Sequence, residues 1–390
     1  MKLYNAKAAA EVGTPVLLDD MIMTTDMPTT AGSRMLAGYK SLFEATAVTL
    51  LREAGYGVAA KASVGEFGFD LIGETAAGGA TVSEGGALTL PIAEAVATEG
   101  YTALALDTNG TPRRGAAQRG LCFLKPTYGV VSRFGTVPVA CSGEAVGVMA
   151  KTAAECKKIF AIIAHHDDRD GTSQPEELCE AAGASGEIRR VGVPTELDNE
   201  TTAALKAALL AKGVELVPIS MPELSAAHEA WNVLMSAELC NNVSRYDGVK
   251  YGYRTEKFTN IDELYTGSRT EAFGSLLKRA ILFGSETLST ENYARMYDKA
   301  LRIRRLVSEA FSRVFADCDA VLLPAVSRTV YTAEEIERNP NLAFLENRYT
   351  APASLTGLPS LTVAGAALVG PAFRDGALLS LAEALPEVKK

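Results

Sequence analysis

Asp107-Thr108-Asn109-Gly110-Thr111 lies between an apolar run, Ala103-Leu104-Ala105-Leu106, and a helix start at Pro112-Arg113-Arg114. A short apolar run reads as a buried strand, proline fits the first turn of a helix, and the glycine allows a tight turn between them. A junction of this kind presents the backbone N–H groups of Thr108, Asn109 and Gly110 at the positive end of a helix, with the Thr111 hydroxyl beside them. That arrangement suits an oxyanion hole with a nucleophile next to it.

Outward from the junction, short apolar runs alternate with amphipathic stretches, the pattern of an α/β fold. Phe43 to Ala54 places Ala47, Leu50 and Leu51 on one helical face, with Gly55 at its end. Val58-Ala59-Ala60 and Thr102 to Leu106 read as strands, and Leu88 to Thr98 as a helix. Arg190-Val191-Gly192-Val193 opens a second strand–helix–strand run, its helix over Glu200 to Ala211 and its second strand over Glu215 to Ile219. Glu291 to Ala316 reads as one long amphipathic helix and Ala320 to Pro324 as a strand. Ser173 to Gly186, rich in Gln, Pro, Glu and Gly, reads as an exposed connection. Residues 1–390 are expected to form a single domain.

Hydrophobic residues make up 47% of the chain and charged residues 22%, which supports a substantial core. The net charge of −9 argues against a generally basic nucleic-acid surface, so no direct nucleic-acid contact is expected. Arg302-Ile303-Arg304-Arg305 reads as the solvated face of a helix. Six cysteines are spread through the chain with no C-x-x-C spacing, so they read as reduced thiols in a cytoplasmic protein. No segment has the length and apolarity of a membrane span, and the first residues lack the apolar core of a secretory signal. His165-His166-Asp167-Asp168 resembles a ligand cluster, but metal sites need convergent spacing and the chain has only one other histidine, His228. No metal or cofactor is expected.

Several longer blocks resemble the amidase signature family. Gly120 to Gly135 (GLCFLKPTYGVVSRFG) is similar to its G-x-x-G-L-K-P-T-x-G-x-V-S-R-x-G block, with Phe123 at the second glycine. Lys61 to Phe67 (KASVGEF) is similar to K-T-N-M-D-E-F, Ala164 to Ser173 to A-G-H-D-x-x-D-S-T-S, and Asp107 to Thr111 to Asp-Thr-Gly-Gly-Ser. Ser244 to Arg254 (SRYDGVKYGYR) resembles one branch, the A-type subunits of glutamyl-tRNA(Gln)/aspartyl-tRNA(Asn) amidotransferases. That block is either a surface facing a partner or tRNA complex, or a structural turn. The resemblance implies the amidase signature fold, a twisted mixed β-sheet flanked by helices on both faces. It also implies a Ser–cis-Ser–Lys triad, in which the lysine takes the nucleophile's proton through the bridging serine. Chemically, a serine hydroxyl is a poor nucleophile at neutral pH, and a neutral, desolvated lysine can activate it.

All three triad positions are substituted. The family's G-x-P-x-x-x-K-D pattern falls on Gly13 to Asp20 and puts Asp19 in the lysine's place. The bridging serine, 24 residues before the nucleophile, is Ala87, and the run Ser-Ser-Gly-Gly-Ser reads Ala87-Leu88-Thr89-Leu90-Pro91. Thr111 stands at the nucleophile; its β-methyl restricts χ1, and it needs a base within hydrogen-bond reach. Asp19 is the candidate base, with no relay left at Ala87. Ala87 lies only 20 positions after Phe67, fewer than the family has there. Where the family carries an Asp for the substrate amine the chain has Asn347, with Glu346 adjacent, and Arg113 matches the family arginine after the nucleophile.

These residues read as a degenerate relative of the A-type amidotransferase subunits that keeps the fold, with a pocket for a small amide ligand or a partner surface, and acts as a binding or regulatory module. The alternative is a working amidase or glutaminase that uses Thr111 and supplies ammonia beside B- and C-type subunits.

Overall fold

The apolar run ahead of the turn is a strand with no exposed face. Ala103, Leu104, Ala105 and Leu106 are all buried, and so are Val16, Leu17 and Leu18 on the strand beside it. Burial of successive residues requires cover on both sides of a sheet, which is why these strands are apolar throughout rather than alternating. A computed structural model describes residues 3–9, 13–83 and 85–385. Their strands are β1 (Tyr4–Lys7), β2 (Thr14–Asp19), β3 (Tyr56–Ala62), β4 (Thr102–Asp107), β5 (Cys122–Lys125), β6 (Ala145–Ala150), β7 (Arg190–Pro194), β8 (Glu215–Ile219), β9 (Ala320–Pro324), β10 (Ser360–Val363) and β11 (Ala366–Val369). They form one mixed sheet in the order β1-β3-β2-β4-β6-β5-β10-β11-β9-β7-β8, flanked by helices. Two parallel trios, β3-β2-β4 and β9-β7-β8, are joined through antiparallel β6, β5, β10 and β11.

Asp19 and Asp107 are the last residues of β2 and β4, which run parallel side by side. Both carboxylates therefore sit at the carboxyl end of the sheet, where open α/β sheets place their ligand sites. The chain leaves β4 through Gly110 (φ +80°) and enters helix Thr111–Arg119 with Pro112 in its first turn. Gly120 (φ +65°) closes that helix in the left-handed conformation.

Several boundaries differ from the sequence reading. The helix expected from Leu88 begins at Pro91, because Leu88 and Leu90 enter the core in extended backbone and proline suits a first turn. The connection Ser173–Gly186 contains helix Glu176–Gly183: Glu176 and Glu177 favour its N-terminal end, and Cys179 and Ala182 bury one face. The long helix of Glu291–Ala316 is split into a π-turn, Ala294–Asp298, and helix Lys299–Val314. The run after Asn199 starts as a 3-10 turn, Glu200–Thr202, before helix Ala203–Ala211.

Candidate active site

The turn after β4 is held by its own side chains. Gly110 N donates to Asp107 Oδ1 (3.0 Å), and Asn109 Nδ2 donates to Phe69 O (2.7 Å). Asn109 Oδ1 accepts from Trp231 Nε1 (2.9 Å). A Cβ on Gly110 would stand 2.4 Å from Thr350 Cβ, so this position needs both the positive φ and the missing side chain. Thr108, Asn109 and Thr111 are buried, and the Thr108 hydroxyl has no hydrogen-bond partner.

Asp19 and Thr111 lie on the wall of one cavity, together with Val64, Leu90, Ile92 and Ala105. Its volume is about 10 Å³, less than one water comfortably needs and far below the roughly 300 Å³ of an ordinary ligand site. The Asp19 carboxylate is turned to the backbone: Oδ1 accepts from Met21 N (3.0 Å) and Oδ2 from Leu106 N (2.7 Å). The Thr111 hydroxyl donates to Asp70 O (2.6 Å) and accepts from Arg114 Nη2 (3.3 Å). Ala87 is not on this wall. It lies half-buried in a turn, where its carbonyl accepts from Ser83 N (2.8 Å), and no described peptide bond is cis. Leu90 lines the cavity instead and packs against Gly115.

The other site candidates also point inward. Arg113 is buried; its Nε and Nη2 grip Asp107 at 2.7 and 2.9 Å, and its remaining donors reach Thr350 O and Ser354 Oγ, both at 2.7 Å. Glu346 accepts from Ser327 N (3.0 Å), Ser327 Oγ (2.6 Å) and Tyr331 OH (2.8 Å). The Asn347 carboxamide, on helix Leu342–Thr356, packs against Asn109 and Asn232. Arg114, which sequence reasoning passed over, is the fully buried side chain that ties the helix to Asp70 and Leu71. The signal for it was a second arginine directly after Arg113, on a helix whose first seven residues are buried.

In the histidine turn, His165 pairs with Glu176 (2.7 Å) and His166 with Asp168 (3.0 Å), while Asp167 faces the other way toward Thr46 and Ser132. Among the described residues no three His, Cys, Asp or Glu converge as a metal site would require. A groove of about 480 Å³ lies at the far end of the sheet, between β8 and helix Lys299–Val314. Its two arginines, Arg190 and Arg313, already face Glu215 and Glu223, and Asp317 adds a further negative charge.

Burial pushes the Asp19 carboxyl up to about 7, against the pull of its two backbone hydrogen bonds. The folded value lies above the unfolded one. Its contribution to stability is therefore complete below about pH 4 and is lost as the pH rises through about 7. The Asp375 carboxyl, pushed up to about 6 by burial, acts with the same sign. Unfolding free energy measured in urea is expected to fall by up to about 4 kcal/mol from Asp19 across that window. The Asp19→Asn variant should show a flatter profile; equal slopes in the two proteins would contradict the assignment.

A family model described as Amidase matches residues 5–84 and 92–378. The chain belongs to the amidase signature family. Within it, the chain is 34% identical to the A-type subunit of the glutamyl-tRNA(Gln) amidotransferase of Maridesulfovibrio salexigens over 414 residues, covering 97% of this chain and 85% of that one. The corresponding subunit of the Symbiobacterium thermophilum enzyme is 35% identical over 405 residues, covering 97% and 83%. The crystal structure of the same subunit from Thermotoga maritima superposes with a TM-score of 0.78 at 26% identity, over 100% of this chain and 91% of that one. A 6-aminohexanoate cyclic dimer hydrolase, at 20% identity and a TM-score of 0.78 over 96% and 85% of the two chains, shares the fold. Between its two matched parts the family model leaves out residues 85–91, which include Ala87-Leu88-Thr89-Leu90-Pro91.

Proposed function

We propose that this chain is a degenerate relative of the A-type amidotransferase subunits, without amidase or glutaminase activity. It acts in the cytoplasm as a binding or regulatory module, beside B- or C-type subunits or an equivalent partner. The observation that carries this reading is the fate of the two groups that should react. The Thr111 proton is committed to Asp70 O, and both Asp19 oxygens accept backbone N–H groups. A nucleophile and its base need to be within hydrogen-bond reach of each other and of a substrate. Here the space between them admits no amide.

The test is turnover of glutamine and of simple amides by the purified chain, alone and with a B-type subunit, repeated with Thr111→Ala. The expected result is no turnover in either protein. Turnover that disappears in Thr111→Ala overturns the reading. It would favour the second one, an active enzyme using Thr111 with Asp19, for which the supporting observation is an Asp19 carboxyl pushed up to about 7 on the same cavity wall.

A further inference from the structure

The segment from Gly65 to Thr75 crosses the Thr111 end of the site, and its polar groups are satisfied in two different ways. At its Thr75 end N–H groups are capped by the segment's own carboxylates, whereas at its Gly65 end Phe67 N donates to Ala31 O (2.8 Å) and the Glu66 carboxylate accepts from Ser33 Oγ (2.7 Å) and Gly274 N (2.8 Å). Asp70 accepts from Gly73 N (3.1 Å) and Thr75 N (2.9 Å), and Glu74 accepts from Leu71 N (3.1 Å) and Ile72 N (2.8 Å). Its carbonyls are tied to the other side of the site. Phe69 O accepts from Asn109 Nδ2 (2.7 Å), Asp70 O from Thr111 Oγ1 (2.6 Å) and Arg114 Nη2 (3.0 Å), and Leu71 O from Arg114 Nε (2.8 Å). Arg114 Nη1 also donates to Asn109 O (2.9 Å), so one guanidinium joins the segment, the turn and the helix.

Arg114 is fully buried, and its hydrogen bonds go to carbonyl and hydroxyl oxygens. A buried cation held by neutral acceptors is costly, so the arrangement it enforces is a specific one. The segment also holds one strained backbone position. Phe67, a non-glycine residue at φ +53°, is kept there by ring contacts with Tyr246 and Phe273 at 5.3 and 6.2 Å. Apolar contacts at Phe69, Leu71 and Ile72 keep the segment near the core but are not directional.

We propose that Arg114 is a latch. Its guanidinium holds residues 68–71 down over Thr111 and Asp19, and loss of that grip lets Gly65–Thr75 lift as a local unit while the sheet stays folded. This deepens the reading of a closed, degenerate site. It is tested without any activity measurement, so the two can fail separately.

The experiment is amide hydrogen exchange, resolved by peptide, on the full chain and its Arg114→Met and Arg114→Lys variants. In Arg114→Met, exchange across residues 66–75 is expected to rise about tenfold or more, with β9 and helix Lys299–Val314 keeping wild-type protection. Arg114→Lys keeps the charge but loses the planar fork, so a smaller rise in the same peptides is expected. Should the Met variant fail to fold, the Lys variant decides. Wild-type protection at 66–75 overturns the proposal. So does a rise shared equally by β9, which would make Arg114 an ordinary core residue.

Discussion

Returning lysine to position 19 and serine to positions 87 and 111 is expected to unfold the protein before it creates an amidase. Asp19 is the acceptor for Met21 N and Leu106 N, and a lysine accepts nothing. Two buried N–H groups would be left unpaired, at about 1–3 kcal/mol each. The new ammonium would face Val64, Leu90, Ile92 and Ala105, and Asp20 beside it already pairs with Lys61 at 3.3 Å. The combined loss should reach about 4 kcal/mol or more, since an uncompensated buried charge adds to the unpaired donors. A serine at 87 would not approach the cavity, because Ala87 lies in a turn away from it. The check is a urea melt of the triple variant with a glutaminase assay under folding conditions. Wild-type stability with new activity would mean that three side chains alone separate this chain from an enzyme, and that Leu90 and the 65–75 segment do not block the site.

Arg113→Met is expected to cost about 3–5 kcal/mol, the usual penalty for stripping one partner from a buried pair. Asp107 is fully buried and would keep only Gly110 N among its present partners, while Thr350 O and Ser354 Oγ would each lose a donor. The charge is the main burden. Adding Asp107→Asn to Arg113→Met should therefore recover part of the loss, since a neutral carboxamide can still accept from Gly110 N. Denaturation of the two single variants and the double variant decides it. A double variant no more stable than Arg113→Met would show that the guanidinium contributes through packing and its other hydrogen bonds rather than by neutralising Asp107. The same pair explains why Arg113 turns into the core.

Much of the fold was legible because its signals are local. β8 and β9 have the boundaries that their apolar runs and flanking turns imply, and Pro112 and Gly120 delimit the helix after the turn. Where the reading slipped, tertiary burial overrode periodicity. Leu88 and Leu90 look helical in a row with Ile92 and Val96, yet they are extended and serve as filler. In the site, sequence placed Asp19 and Thr111 at matching positions, and the structure brings them to one cavity. The sequence could not reveal that both are hydrogen-bonded to backbone groups there. The groups responsible, Asp70 O for Thr111 and Leu106 N for Asp19, are backbone atoms with no sequence signature. Thr350 and Ser354, which hold Arg113, lie 237 and 241 residues away along the chain, a separation that no local spacing encodes. The local signal at the cavity was Leu88, Leu90 and Pro91 themselves, since leucines take space that small residues would leave.

The hydrogen bond from Trp231 to Asn109 has a practical consequence. Trp231 is the only tryptophan in the chain, and its ring is buried over Gly143, where a Cβ would stand 2.2 Å from it. Its Nε1 proton rests on the side chain at the centre of the turn after β4. The intrinsic fluorescence of this protein is therefore a one-site optical gauge. A ligand, a partner or a latch variant that rotates Asn109 will change the emission of a single indole, with no label to attach and no second tryptophan to subtract.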